Sequence, residues 1–248
     1  MVYMGSKSRI AKEIVPIIQS YIDDNNIHNY LEPFCGGCNV IDKVKCEHKY
    51  ASDVYPYLIA LLKQAQKDTS VFPETITLEE YKNVKHNREK YPDWYVGLVG
   101  FCASYNGKWF GGYANNVKTK IGTVRKYADE KIKNLIKQSS NLKDIQFTRC
   151  DFRNIKPTIK NFVIYCDIPY KNSTKYAVDD FPYDEFYDWC RQMAKNNIVL
   201  VIEYNMPDDF KCIWSKQVCT SLNNNRSIND DKNNRTEKLF IYKKNKTI

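Results

Sequence analysis

Phe162-Val163-Ile164-Tyr165-Cys166-Asp167-Ile168-Pro169-Tyr170 is the stretch from which the rest of the chain can be read. Its first half is an apolar, β-rich run and predicts a short strand. The strand ends in Asp-x-Pro-Tyr, which brings four chemical elements to one tip. These are a carboxylate, a free backbone carbonyl, a rigid turn and an aromatic face. Together they can grip the exocyclic amino group of a flat heterocycle.

A second feature lies far upstream. Tyr30-Leu31-Glu32-Pro33-Phe34 reads as a strand end and runs into Cys35-Gly36-Gly37-Cys38. Glycines there let a ligand approach the backbone closely, although ordinary turns also supply a Gly-Gly. Lys49-Tyr50-Ala51-Ser52-Asp53 then predicts another strand ending in a carboxylate, the position that holds ribose hydroxyls in nucleotide-type folds. No Gly-Lys-Ser/Thr run follows the glycines, so a nucleoside bearing a sulfonium suits the site better than a nucleoside triphosphate. The three-glycine fingerprint of nicotinamide dehydrogenases is also missing.

The 248 residues allow one large domain, or a core domain with an insertion. No apolar run approaches the roughly 18 residues that span a bilayer, and Met1 to Lys7 lacks the apolar core of a signal peptide. The expectation is a cytoplasmic protein with no membrane partner. The nine cysteines include one CxxC, Cys35 and Cys38, but no second pair completes a zinc set, and His28, His48 and His86 are scattered. They read as reduced thiols, with no metal. Between Tyr105 and Lys160 there are 13 Lys/Arg against 4 Asp/Glu, while the remainder holds 25 of each. The whole surplus of the +9 chain therefore sits in one segment, which argues for a polyanion, with nucleic acid as the natural partner.

Periodicity places a helix from Ser8 to Tyr21, kinked at Pro16, and others at Tyr57–Gln66, Leu78–Asn87, Tyr127–Gln138 and Tyr183–Lys195. Further strands are expected at Ile145–Asp151, Ile198–Tyr204, Trp214–Thr220 and Lys238–Lys243. The last two would form an antiparallel hairpin across a polar loop, Leu222–Arg235. Gly97–Ala103 suits a buried helix. The aromatic, glycine-bent and basic stretch from Tyr105 to Tyr113 fits either core packing or base wedging and phosphate contact. The fold class is α/β, a Rossmann-like mixed sheet, with residues 1–66 and 142–248 as the core and 67–141 as a mainly helical insert for target recognition.

In this order the motifs resemble those of the Dam-like adenine-N6 DNA methyltransferases, over nearly the whole chain. Tyr3-Met4-Gly5-Ser6-Lys7 is similar to that family's N-terminal donor motif and Glu32-Pro33-Phe34-Cys35-Gly36-Gly37 to its glycine-rich motif. Asp53 matches its ribose-binding acid, Asp151-Phe152 its adenine-binding pair, and Asp167-Ile168-Pro169-Tyr170 its catalytic Asp-Pro-Pro-Tyr. Arg235 to Tyr242 matches its last strand. The resemblance implies the S-adenosylmethionine-dependent methyltransferase fold, that donor as cofactor, and adenine in double-stranded DNA as acceptor, with a monomer sufficing. It implies that Tyr3, Lys7, Glu32, Pro33, Phe34, Cys35, Gly36, Gly37, Asp53, Asp151, Phe152 and Asp167 form the donor site. Asp167, Ile168, Pro169 and Tyr170 would be catalytic, with Tyr170 stacking on an adenine rotated out of the duplex. Lys108, Trp109, Lys118, Lys120, Arg125 and Lys126 are the candidates for DNA contact.

One position departs from the pattern: Ile168 stands where the family has proline. The acceptor there is a main-chain carbonyl, which Ile keeps, and Pro169 biases Ile168 towards an extended backbone. Similar turns also serve RNA and protein-amide methyltransferases, and a binding module could retain the fold without activity.

Overall fold

The apolar runs become the middle of one sheet. The structure, a computed structural model, describes residues 1–170, 181–219 and 234–243. In chain order these hold α1 (Ala11–Asp24), β1 (Asn29–Glu32), β2 (His48–Asp53), α2 (Pro56–Lys67), α3 (Leu78–His86), α4 (Asp93–Gly97), β3 (Val117–Lys118), β4 (Val124–Arg125), α5 (Tyr127–Ser139), β5 (Ile145–Arg149), β6 (Phe162–Asp167), α6 (Tyr183–Met193), β7 (Ile198–Glu203), β8 (Phe210–Cys219) and β9 (Asn234–Tyr242). The main sheet runs β5-β2-β1-β6-β7-β9-β8. The strands β5, β2, β1, β6 and β7 are parallel, and β9 lies antiparallel between β7 and β8. This is a mixed Rossmann-like sheet, with the antiparallel hairpin at one edge.

Alternation along the strands distributes side chains between two packed layers. Tyr30, Val163 and Tyr165 face the layer of α1, α2 and α5. Leu31, Ile164, Cys166 and Ile168 face α6, through Phe186, Trp189, Cys190 and Met193. β6 and β7 are buried on both faces, as central parallel strands must be, which explains their unbroken apolar runs. From β1 the chain goes outward to β2 and β5, then returns to β6 and β7 on the other side. The gap beyond the carboxyl ends of β1 and β6 is therefore a topological switch point, where open α/β sheets place their ligands.

Residues 68–144 join α2 to β5, and they share the core of the sheet's first face. Phe72, Ile76, Tyr81, Val84 and Phe101 belong to the same apolar cluster as Tyr30 and Tyr165. Gly97 lets α4 lie directly on α2, because a Cβ there would stand 2.2 Å from the Tyr57 carbonyl oxygen. The Gln66 amide donates to the carbonyls of Leu142 (2.7 Å) and Ile145 (2.7 Å), tying the two ends of the segment together. The segment also carries the two-stranded β3/β4 hairpin, which the helical reading did not contain. The signal was faint: β-branched residues flank a short loop containing Gly122, which adopts φ +84°.

Other boundaries move for local reasons. Strand pairing stops at Glu32 rather than Phe34, since Pro33 cannot donate to a ladder. The expected helix from Ser8 begins at Ala11 after a short 3₁₀ turn, and it runs through Pro16 to Asp24. Edge strand β8 begins at Phe210 rather than Trp214, with a bulge between Cys212 and Trp214, and β9 begins at Asn234 rather than Lys238. Polar residues on an edge hairpin hide its length from a search for apolar runs. Most of the expected Leu222–Arg235 loop lies outside the described residues. The cysteines with described side chains are free thiols, and most are buried. No helix among the described residues is long and apolar enough to cross a membrane.

Candidate active site

A cavity of about 660 Å³ opens at the switch point, a size suited to a small-molecule ligand. Its wall gathers Tyr3, Lys7, Glu32, Phe34, Cys35, Gly36, Gly37, Asp53, Asp151, Phe152, Asp167, Ile168 and Pro169 from the sequence-derived set. Pro33 and Tyr170 are not on that wall. The sequence reading missed Tyr55, Phe101, Arg153, Tyr165 and Phe181, which are. Tyr165 had a usable signal, since it sits in the run that ends at Asp167; Phe101, in a run that reads as a buried helix, had none.

Three phenyl rings form one side of the cavity. Phe34 lies 5.5 Å from Phe152 and 5.7 Å from Phe181, between ring centroids. Asp53, at the end of β2, accepts from the backbone N–H of Gly36 (3.2 Å) and of Tyr55 (3.0 Å). Burial nevertheless pushes its carboxyl up to about 6. Gly36 adopts φ +45°, and a Cβ at Gly37 would stand 2.8 Å from Tyr3 Cβ. The glycines thus serve the docking of the Tyr3 side chain, which then lines the cavity; the sequence reading had assigned them to close ligand approach. Asp151 caps a 3₁₀ turn and holds the Arg153 guanidinium through both oxygens (2.9 and 2.7 Å), which lowers its pKa. Its acceptor capacity for a ligand is therefore shared with Arg153.

The Asp167-Ile168-Pro169-Tyr170 turn is already engaged. Lys7 Nζ contacts Asp167 Oδ1 at 2.6 Å and donates to the Gly5 carbonyl at 2.9 Å. The same ammonium lies 4.4 Å from the centre of the Tyr170 ring. Burial raises the Asp167 carboxyl to about 6, against the opposing pull of Lys7 and with a further push from Glu237. Glu32, buried and accepting from the Tyr30 hydroxyl at 2.8 Å, is raised well above the usual carboxylate range by burial. Ile168 is 2% exposed and packs into the α6 layer, so the residue that replaces proline is a core anchor. The Pro169 carbonyl accepts from the Tyr183 hydroxyl at 2.9 Å, which pins the turn from α6.

The expected DNA contacts separate into two groups. Lys118, Lys120, Arg125 and Lys126 are exposed on or beside the β3/β4 hairpin, around Ile121, which is 86% exposed. Arg125 is held by Glu130 at 2.8 Å, and Lys126 lies 4.0 Å from Asp129. Lys108 and Trp109 instead line the cavity. The Trp109 ring stacks on Tyr57 (5.3 Å) and meets Tyr55 and Phe110 edge-on, so it is a packing residue in this conformation. The aromatic that this loop offers to solvent is Tyr105.

Asp53→Asn tests the cost of the buried acid. A carboxyl raised from 3.8 to about 6 favours the fold below pH 4, and this contribution is lost as pH rises through 6. Asn keeps an acceptor for only one of the Gly36 and Tyr55 amides, which donate to different oxygens, but it removes the buried charge. Relative to the parent, its stability should therefore be more favourable at pH 8 than near pH 4 by about 1–2 kcal/mol, allowing for partial solvent screening. Thermal melts at the two pH values check this.

Residues 3–96 match the family model of the D12 class N6 adenine-specific DNA methyltransferases. A curated relative, the type II methyltransferase M.FokI of Planomicrobium okeanokoites, is 26% identical over 195 residues, covering 69% of this chain and 29% of its own length. The chain thus spans under a third of that relative. Among solved structures, TrmN from Thermus thermophilus aligns with a TM-score of 0.36 at 11% identity, over 91% of this chain and 48% of its own. SMU.472, complexed with SAH, aligns at 0.36 and 10%, over 96% and 54%. Tyr3, Glu32–Gly37 and Asp53, which carry part of the motif resemblance, lie within residues 3–96, the span that is similar to the D12 class N6 adenine-specific DNA methyltransferases.

Proposed function

We propose that this chain is an S-adenosylmethionine-dependent methyltransferase acting on the N6 amino group of adenine in duplex DNA. One observation carries the reading. A single cavity at the switch point is walled both by an aromatic and acidic set suited to a nucleoside and by the Asp167-Ile168-Pro169 turn. The family match over residues 3–96 supports the choice of acceptor.

The residues fit such a donor. Phe34, Phe152 and Phe181 offer ring faces for an adenine, and Asp53 offers a carboxylate for ribose hydroxyls. When bound, the donor supplies a methyl group activated by a sulfonium. The target amine is a poor nucleophile because its lone pair is delocalised into the ring. Hydrogen bonds from its two N–H groups to the Asp167 carboxylate and the Ile168 carbonyl draw the nitrogen towards tetrahedral geometry and localise that pair. These acceptors stabilise the positive charge that develops on nitrogen. Near-attack alignment supplies up to about 7–11 kcal/mol in ideal cases. Lys7 occupies Asp167 Oδ1 beforehand, so the incoming amine must displace an ammonium that has kept the acid ionised.

An adenine in a duplex reaches this turn only by leaving the stack. The exposed hairpin, with Ile121 at its tip and cations around it, suits contact with the backbone and the opened step. Lys118→Ala and Lys120→Ala should each weaken DNA binding across sequences and reduce the salt slope by about 1. Binding titrations from 50 to 200 mM salt measure this.

The deciding experiment is transfer of labelled methyl from the donor to unmethylated duplex DNA and to structured RNA, followed by nucleoside analysis. N6-methyladenine from DNA is the expected product. Label confined to RNA moves the acceptor. No donor binding at millimolar concentration leaves a nucleic-acid-binding module.

A further inference from the structure

Glu237 is the acid of the closing strand, and the mechanism above does not use it. It sits on β9, half-buried, on the sheet face that carries Leu239 and Asp167. Its carboxylate accepts a hydrogen bond from the Tyr170 hydroxyl. Tyr170 is 8% exposed, and its ring is bounded by the Lys7 ammonium at 4.4 Å and by Tyr204, edge-on at 4.4 Å. Tyr204 is itself steadied by Arg235, whose guanidinium lies 5.6 Å from its ring and donates to its hydroxyl at 3.4 Å. Two residues of one antiparallel strand, Arg235 and Glu237, therefore grip the aromatic end of the catalytic turn.

A second carboxylate close to Asp167 has an electrostatic cost. Glu237 opposes ionisation of Asp167, and a neutral hydrogen-bond acceptor would hold a tyrosine hydroxyl without that penalty. A carboxylate makes the stronger bond to the hydroxyl. That matters if the ring must stay fixed while Lys7 leaves its face and a base arrives.

We propose that Glu237 is a positioning residue for the methyl-transfer step. It locks the Tyr170 hydroxyl so that the ring presents a fixed face beside Asp167. The assignment rests on the function proposed above. In this arrangement Tyr170 does not swing out to meet the base. The base slides onto a platform anchored from behind by β9, taking the place of the Lys7 ammonium.

The test compares Glu237→Ala, Glu237→Gln and Tyr170→Phe in steady-state methylation of unmethylated plasmid DNA, with donor affinity and melting temperature measured for each. Loss of the anchor should lower kcat/KM for DNA about 10- to 100-fold in Glu237→Ala and in Tyr170→Phe, with donor affinity within twofold. The double variant should be no worse than either single one. Glu237→Gln, which keeps the acceptor, should recover most of the loss. The acid limb of the rate profile adds a readout that a purely structural role would not move. The groups facing Asp167 are Lys7, Glu32, Tyr165, Tyr170 and Glu237. Removing the Glu237 charge should shift the limb to lower pH in Gln and Ala variants alike, whereas Tyr170→Phe leaves it in place. Unchanged kcat/KM in a folded, donor-binding Glu237→Ala protein overturns the assignment, as do multiplicative losses in the double variant. If the unaltered chain methylates no DNA, the functional reading falls and takes the assignment with it.

Discussion

Asp167→Asn is expected to lower methyl transfer about 10²–10³-fold in kcat while donor affinity changes little, the scale seen when one preorganised hydrogen-bonding group is removed from a transition state. Asn keeps the shape and one acceptor oxygen, so the turn pinned by Tyr183 and Ile168 remains. What it loses is the negative charge facing the amine as positive charge builds on nitrogen. It also leaves Lys7, 7% exposed at the side chain, without its 2.6 Å counter-ion. The variant should therefore bind DNA no better than the parent, because the ammonium still covers the Tyr170 face. A single-turnover assay with saturating donor separates the two contributions. Asp167→Asn activity within tenfold of the parent would remove Asp167 from the chemical step.

Lys7→Met should have the next largest effect, and pH decides its size. Lys7 pulls the Asp167 carboxyl down against burial, so without it the carboxyl rises beyond about 6. A larger share is then protonated near neutrality, and a protonated acid is a poorer acceptor for an amine N–H. The acid limb of kcat/KM should move upward by about one pH unit, an opposite-charge neighbour being worth about 1–3 units. Rates near pH 9 should approach those of the parent, since Asp167 is then ionised without the help of Lys7. Stability follows the same sign. Breaking a buried ion pair costs about 3–5 kcal/mol while the orphaned acid stays ionised, so the melting temperature should fall at pH 8. The loss should shrink towards pH 5, where Asp167 takes up a proton instead. An acid limb that does not move would mean that Lys7 acts only as a packing residue.

These two predictions rest on a contact between residues far apart in the chain, and that marks the limit of what motifs convey. Glu32, Asp53 and Asp167 were legible because each lies at the end of an expected strand, and parallel strands that share a sheet bring their carboxyl ends to one rim. Phe34 and Phe152 were legible through the motif resemblance, close to Glu32 and Asp151. Trp109 stayed open between two readings because an aromatic beside glycines and lysines looks the same whether it faces DNA or Tyr57. The β3/β4 hairpin is faint in the sequence because each of its strands is only two residues long, too short for alternation to show.

The sequence alone determined the succession of main-sheet strands along the chain, the α/β class and the acids at the strand ends. These follow from side-chain period and backbone preference over a few residues. Only the tertiary structure decided that Lys7 neutralises Asp167, that Glu237 holds Tyr170, and that Tyr3 is the reason for Gly37. A carboxyl's pKa and a ring's orientation depend on every group within a few ångströms, and in a crossed-over sheet those groups come from both ends of the chain.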